Sequence, residues 1–217
     1  MPLPSEPYLV YLDSTFLVDL ADSNERRHGD AEIVLDLFKY HQSSQLLQVR
    51  ASMWTVAEAQ SILYKNACIR SGMPEDPDPR KTLPPIQSQL SASQASLLSI
   101  INTLMVETTF QFLPDTTSDS NQFWVLVNKI GRETLAFAPD CVHLAFAIEG
   151  GCSLLITDDK DFYEKITYCL VSAIEPQRNA IHSLITLPPF QVGGVQRKYM
   201  NRRRVETALE ILRNKGF

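Results

Sequence analysis

Short apolar runs alternate along this chain with longer segments in which apolar residues recur at helical spacing. The runs at residues 8–12, 46–50 and 153–157 are too short for helices and predict buried strands. A fourth strand is predicted at residues 108–113, where apolar and polar residues alternate before Pro114. The pattern therefore predicts four short strands separated by helical segments.

Helical spacing predicts a helix in most of the remaining intervals. The predicted helices cover residues 16–21, 30–40, 53–70, 87–105, 119–130 and 138–149, with an amphipathic helix over residues 205–212. Ser14 or Thr15 is expected to cap the first helix. In the second helix, Ile33, Leu37 and Tyr40, with Val34 beside them, show helical spacing. Five prolines and one glycine predict a loop at residues 71–85.

This alternation of strands and helices determines the expected fold class. It predicts an α/β fold with a central, mainly parallel sheet covered by helices on both faces. The 217 residues suffice for one well-buried core. We expect a main domain over residues 7–170, which includes the proline-rich insertion, and a C-terminal helical extension over residues 171–217.

Four acidic residues lie at the ends or in the first turns of these elements. Asp13 follows the first strand, Glu58 lies early in a helix, Asp140 begins a helix, and Asp159 follows the last strand. In a parallel sheet the carboxyl ends of the strands meet at one edge, so we expect these side chains to gather there. Carboxylates so close repel one another unless a cation lies between them, and hard oxygen ligands suit Mg²⁺ or Mn²⁺. The pattern is typical of a metal-dependent nuclease.

Charge is unevenly distributed along the chain. The net charge is −5, but residues 195–217 hold seven basic and two acidic side chains, a local net charge of +5, so the remainder carries −10. Arg202, Arg203 and Arg204 are candidate contacts for RNA phosphates. The alternative, which we favour, is that the apolar stripe of this C-terminal helix docks on the core or on a second subunit, and docking does not exclude RNA contact.

The remaining composition excludes several classes of protein. The apolar runs are too short to span a membrane and the N-terminus lacks the regions of a signal peptide, so a cytoplasmic protein is expected. The four cysteines are widely spaced and the four histidines lack helical pairing, which argues against a zinc site. We interpret the cysteines as buried, reduced thiols.

Three segments, in order, resemble the PIN-domain family (PilT N-terminal). They are residues 10–15 (VYLDST), 139–147 (PDCVHLAFA) and 155–162 (LITDDKDF), and Glu58 lies at a suitable place between the first and second. The resemblance covers about residues 8–165. Three motifs in order are far more specific than any one of them.

The resemblance implies a three-layer α/β/α sandwich with a Mg²⁺ or Mn²⁺ site that hydrolyses phosphodiesters, usually in RNA. It implies that Asp13 and Asp140 are the principal metal ligands, that Glu58 binds metal water or serves a second metal, and that Asp159 completes the cluster. Asp158 and Asp161 compete for that fourth role, and Ser14 and Thr157 would be supporting hydroxyls. Many bacterial members are toxins of VapC type, inhibited by an antitoxin and commonly dimeric, but such toxins lack the added segments seen here.

Simpler roles exist for individual residues. An isolated Asp at the position of Asp140 would stabilise the helix start through the helix dipole, and Glu58 could be a solvated helix acid. Asp161 is expected to cap a short helix. We expect His143 to be a structural histidine packed on the helix flank rather than a general base.

Two other functions compete with the nuclease. A phosphatase of haloacid dehalogenase type also places Asp after its first strand, but it usually has a second Asp two residues later, where this chain has Thr15, and it leaves Glu58 and Asp140 without a role. A non-catalytic PIN-like module that binds RNA or protein is the other alternative. That class usually shows replaced acids, whereas all four are present here.

Overall fold

The computed structural model describes residues 6–73, 79–113, 120–134, 136–162, 165, 191–194 and 208–217. These residues build one five-stranded sheet in which every pairing is parallel. The strands are β1 (Tyr8–Leu12), β2 (Leu47–Ala51), β3 (Gln111–Phe112), β4 (Leu154–Thr157) and β5 (Gln191–Gly194). Their order across the sheet is β3-β2-β1-β4-β5, which places β1 at the centre.

Helices fill the intervals between the strands. They are α1 (Ser14–Ala21), α2 (His28–Tyr40), α3 (Met53–Arg70), α4 (Pro79–Glu107), α5 (Ser120–Thr134), α6 (Ala138–Glu149) and α7 (Ala208–Asn214), with a 3-10 turn at Gln42–Ser44. Gly150 follows α6, and Gly151 adopts the left-handed φ of +64° that ends it.

Side chains of the central strands alternate between two hydrophobic cores. Val10, Leu12 and Ile156 point to the face covered by α1, α2, α3, α4 and α7. Tyr11 and Leu155 point to the opposite face, which α5 and α6 cover. Because side chains alternate along a strand, a sheet buried on both faces needs apolar residues at consecutive positions, which is what the short runs contain. The predicted α/β/α sandwich with a parallel sheet is confirmed.

The C-terminal helix α7 is part of the first core. Ala208, Ile211 and Leu212 are buried among the residues of that face. Of the two alternatives for this amphipathic stripe, docking on the core is therefore correct. The arginines at 202–204 lie outside the described residues, and the proposed division at residue 170 stays a prediction.

Helix α2 buries one face and exposes another. Its buried residues are Ala31, Val34, Leu35 and Phe38, at the i, i+3, i+4, i+7 spacing of a helix that packs on a flat layer. Ile33 is 52% exposed and Tyr40 is 80% exposed. The stripe that ends in the wholly apolar ring of Phe38 is therefore the buried one, and Ile33 and Tyr40, which also have helical spacing, lie on the exposed side.

Part of the segment predicted as a proline-rich loop, residues 79–85, is helical. Helix α4 begins at Pro79, inside the segment predicted as a loop. Proline suits the first helical position, since its missing N–H would have no partner there and its φ is already helical. Pro84 and Pro85 each remove a backbone hydrogen bond near the helix start.

Two further expectations can be compared with the described residues. Cys68, Cys141 and Cys152 are buried free thiols, as predicted, and Cys169 lies outside the described part of the chain. Across the described ranges, no helix combines the length and apolar character that crossing a membrane requires.

Candidate metal centre

Asp13 lies at the carboxyl edge of the sheet, where β1 passes directly into α1. Its backbone N–H donates to the carbonyl oxygen of Ile156 at 3.0 Å, which continues the parallel pairing of β1 with β4 by one residue. Asp13 itself occupies the N-cap position of α1 in extended conformation, without a side-chain cap bond. The expectation that Ser14 or Thr15 caps this helix is wrong, because helical geometry already begins at Ser14.

Two hydroxyl groups orient the carboxylate of Asp13. Thr157 Oγ1 and Thr15 Oγ1 donate to Asp13 Oδ2 at 2.7 and 2.8 Å, and Asp13 is almost completely buried. Because both donors engage Oδ2, the other oxygen, Oδ1, is left to face the neighbouring residues. His143 Nε2 lies 3.4 Å from that oxygen.

Glu58 reaches the same place from the second turn of α3. Its Oε2 accepts a 2.8 Å hydrogen bond from Ser14 Oγ and a very short one from His143 Nε2. Burial alone would raise the pKa of Glu58, but the hydrogen bonds from His143 and Ser14 and the positive charge of His143 lower the pKa below its usual value. Glu58 is therefore an ionised member of the cluster and not a solvated helix acid.

His143 lies between Glu58 and Asp13, and the expectation that it packs on the helix flank is wrong. It is only 1% exposed, and its Nδ1 lies 3.1 Å from the hydroxyl oxygen of Tyr11. Burial alone would lower the pKa of His143, but the negative charge of Asp13 and the contact with Glu58 raise the pKa overall. The sequence did hold a signal, since residues three apart share one face of a helix and Asp140 faces the cluster.

Asp140 and Asp159 form the other part of the acidic edge. Asp140 Oδ2 accepts a 3.3 Å hydrogen bond from the Phe137 backbone N–H, so it does stabilise the start of α6. Burial and the negative charges of Asp159 and Asp13 raise the pKa of Asp140 to about 6. A carboxyl group whose charge is opposed by two other carboxylates is electrostatically prepared for a cation.

The three acids at residues 158–161 have separate surroundings. Asp159 Oδ1 accepts a 2.9 Å hydrogen bond from the Phe162 N–H, which is the capping role that had been expected of the exposed Asp161. Asp158 Oδ1 lies 3.8 Å from Arg27 Nε. Of the three, Asp159 is the one whose charge acts on Asp140.

A second buried carboxyl group, Asp19, was missed by the sequence analysis. Burial and the nearby negative charges of Asp158 and Glu25 raise the pKa of Asp19 to about 8. Its Oδ2 has no hydrogen-bond partner. The available signal was an acid placed inside the apolar stretch of residues 16–21.

The donor atoms at the edge suit a divalent cation. One oxygen from each of Asp13 and Glu58 and one ring nitrogen of His143 all lie within 4.8 Å of one another, the one such group among the described residues. Metal–ligand bonds of about 2.1 Å place neighbouring ligand atoms roughly 3.0–3.4 Å apart. The 3.4 Å between His143 Nε2 and Asp13 Oδ1 matches that separation, whereas His143 Nε2 and Glu58 Oε2 are in direct hydrogen-bond contact and would have to move apart to hold one ion.

Comparisons with known proteins find only distant likeness. No protein-family model and no curated protein matches the sequence. Among solved structures, the chain is similar to VapC20 of Mycobacterium tuberculosis, a toxin that cleaves the sarcin-ricin loop, at 16% identity and a TM-score of 0.43 over 70% of this chain and 92% of that chain. It is also similar to VapBC2 from Rickettsia felis, bound to a DNA fragment from their promoter, at 12% identity and a TM-score of 0.43 over 71% and 90%. Likeness at this level says nothing about activity, which has to be argued from the residues of the site.

Proposed function

We propose that this protein is a metal-dependent endoribonuclease of PIN type, which hydrolyses RNA phosphodiester bonds at an acidic Mg²⁺ or Mn²⁺ site. Asp13, Glu58, Asp140 and Asp159 are its proposed catalytic acids and metal ligands. The observation that carries the proposal is the gathering of acids at the carboxyl edge of the sheet, where burial, followed by the negative charges of Asp159 and Asp13, raises the pKa of Asp140 to about 6. Retaining mutually repelling carboxylates costs stability unless a cation offsets their charge.

A bound divalent cation would supply hydroxide from its water near neutral pH and neutralise charge on the phosphoryl oxygens. No side-chain nucleophile is then needed. The contribution of the chain is to hold the ligand atoms in place before substrate arrives. Thr15 and Thr157 fix Asp13, and Ser14 fixes Glu58 through a 2.8 Å hydrogen bond.

The choice of RNA and of partners rests on the PIN resemblance of residues 10–15, 139–147 and 155–162. The proposal extends to an antitoxin protein as inhibitor, and to a homodimer. Arg202, Arg203 and Arg204 are proposed RNA contacts that would provide positive charge beside an acidic body. These three residues lie outside the described part of the chain.

The two alternatives fit the site less well. In a phosphatase of haloacid dehalogenase type the position of Thr15 would carry a second acid, but here its hydroxyl donates to Asp13. Such an enzyme also has no use for Glu58, which directly contacts His143 in the cluster. A non-catalytic module has no need for a buried acid such as Asp13 held by two hydroxyl donors.

The test is cleavage of a panel of single-stranded and structured RNAs, with DNA controls, in Mn²⁺, Mg²⁺ or EDTA. We expect the wild type to cleave RNA only with metal, and Asp140→Asn to lose at least about a hundredfold in rate. Asp36→Asn is the matched control, because Asp36 is exposed in α2 and is not one of the candidate site acids. Absence of cleavage by the wild type, or full activity of Asp140→Asn, would contradict the proposal.

A further inference from the structure

The acidic cluster contains a ring nitrogen, His143 Nε2, that is not among the four acids proposed as metal ligands. His143 Nε2 contacts Glu58 Oε2 directly and lies 3.4 Å from Asp13 Oδ1. This nitrogen therefore points at the place where oxygens of both acids converge. Ionised carboxylate oxygens only accept hydrogen bonds, so they offer lone pairs at this place. A histidine that merely filled the core would not direct Nε2 at two carboxylates.

The other ring nitrogen of His143 is already held. Its Nδ1 lies 3.1 Å from the hydroxyl oxygen of Tyr11, which is also 2.9 Å from Ser52 Oγ and 2.9 Å from Thr55 Oγ1. Tyr11 can donate its own proton to one of these two hydroxyls and accept the Nδ1 proton of His143. Metal-binding histidines are normally held in this way, with the non-ligating N–H fixed by an acceptor.

Burial protects these hydrogen bonds from competition by water. Tyr11, Ser52 and Thr55 are all fully buried, so their hydroxyls bond to one another and to His143 Nδ1 rather than to water. With Nδ1 committed to Tyr11, Nε2 is the atom that can bind a cation.

We infer that His143 Nε2 is a metal ligand together with Asp13 and Glu58, and that this nitrogen makes the site prefer Mn²⁺ and later transition metals to Mg²⁺. The inference rests on the proposed metal-dependent function. Mg²⁺ binds nearly all-oxygen, octahedral sites and keeps much of its water, whereas imidazole is a good ligand for transition metals. His143 is thus a determinant of metal specificity in this site.

The experiment is pulsed electron paramagnetic resonance of Mn²⁺ bound to the intact chain. Electron spin-echo envelope modulation reports directly whether a nitrogen nucleus is bonded to the ion. We expect nitrogen coupling in the wild type, its loss in His143→Gln, and its retention in His28→Gln, whose Nδ1 lies 2.8 Å from the Asp19 carbonyl oxygen. A calorimetric titration should show the ratio of Mn²⁺ to Mg²⁺ affinity falling by about tenfold or more in His143→Gln.

The possible results separate the two hypotheses. Bound Mn²⁺ without nitrogen coupling in the wild type would overturn the ligand role of His143 while leaving the proposed metal-dependent function intact. No binding of Mn²⁺ by the wild type would overturn both. Absence of nitrogen coupling in the wild type decides against the ligand role without any variant, whereas an observed coupling is assigned to His143 by its loss in His143→Gln and its retention in His28→Gln.

Discussion

The hydroxyl group of Thr157 donates a 2.7 Å hydrogen bond to Asp13 Oδ2, although the two residues are 144 positions apart in sequence. Thr157 ends β4 and Asp13 follows β1, and these strands are neighbours in the sheet. Parallel pairing therefore brings the hydroxyl to the carboxylate without any dedicated loop. The acidic edge is in this sense a product of strand register.

Replacing Thr157 tests this link. Thr157→Val keeps the shape of the side chain but leaves a buried carboxylate with one donor fewer and removes the acceptor of the Asp159 N–H, which lies 2.9 Å from Thr157 Oγ1. We expect a loss of about 2 kcal/mol in the free energy of unfolding. Thr157→Ser keeps the hydroxyl and should lose only about 1 kcal/mol for its missing methyl group. Equal losses in urea unfolding would show that the hydrogen bond is not what Thr157 contributes.

The buried Asp19 predicts an unusual pH dependence. Its folded-state pKa is about 8, above the ordinary 3.8, so the folded protein binds this proton more tightly than the unfolded chain does. Its contribution to stability is therefore fully present below about pH 4 and is lost progressively as the pH rises to about 8. At pH 9, the free energy of unfolding of Asp19→Asn should exceed that of the wild type by about 1–3 kcal/mol. At pH 4, the two proteins should be equally stable.

Urea unfolding of both proteins in EDTA at several pH values measures this difference. EDTA removes any effect of bound metal. Asp36→Asn is a suitable control, because Asp36 is exposed in α2 and is not among the charges that raise the pKa of Asp19. A difference between Asp19→Asn and the wild type that is constant with pH would contradict the raised pKa.

The positions of Asp13, Asp140 and Asp159 at one edge of the sheet could be predicted because each lies where an element ends or begins, whereas Glu58 lies in the second turn of α3. His143 could not be placed in the same way, since the direction of its ring depends on how α6 packs opposite α3. The buried face of α2 was likewise set by tertiary packing, which favoured Phe38 over Tyr40. Local pattern thus predicted the acidic edge of the sheet, and tertiary packing determined that His143 lies beside those acids.

Tyr11→Phe tests the support of His143. The substitution removes the hydroxyl that lies 3.1 Å from Nδ1 and 2.9 Å from Ser52 Oγ, while it keeps the ring in the core. Loss of such a supporting contact should weaken Mn²⁺ binding by about tenfold, measured by calorimetric titration. Tyr40→Phe, at an 80% exposed position, is the control and should bind as the wild type does. Unchanged affinity in Tyr11→Phe would mean that Tyr11 does not orient the ligand.

The C-terminal helix α7 should contribute to the stability of the whole fold. Leu212 is completely buried in the core beneath α1 to α4, so Leu212→Ala should cost about 2–5 kcal/mol in the free energy of unfolding. Arg213→Ala, at the adjacent exposed position, should change that free energy by less than about 0.5 kcal/mol. Thermal and urea unfolding of the two variants measure the difference, and similar small losses in both would mean that α7 is not part of the core.

Equilibrium binding of Mn²⁺ to the wild type and to Asp13→Asn tests the central claim most directly. Asn keeps the shape of Asp13 and can still accept the hydrogen bonds of Thr15 and Thr157, so the change removes chiefly one negative charge from the cluster. We predict saturable binding to the wild type, weakened by at least about tenfold in Asp13→Asn, when both proteins are equally folded by circular dichroism. No saturable binding to the wild type, or equal affinity in both proteins, would contradict a metal site at this edge of the sheet.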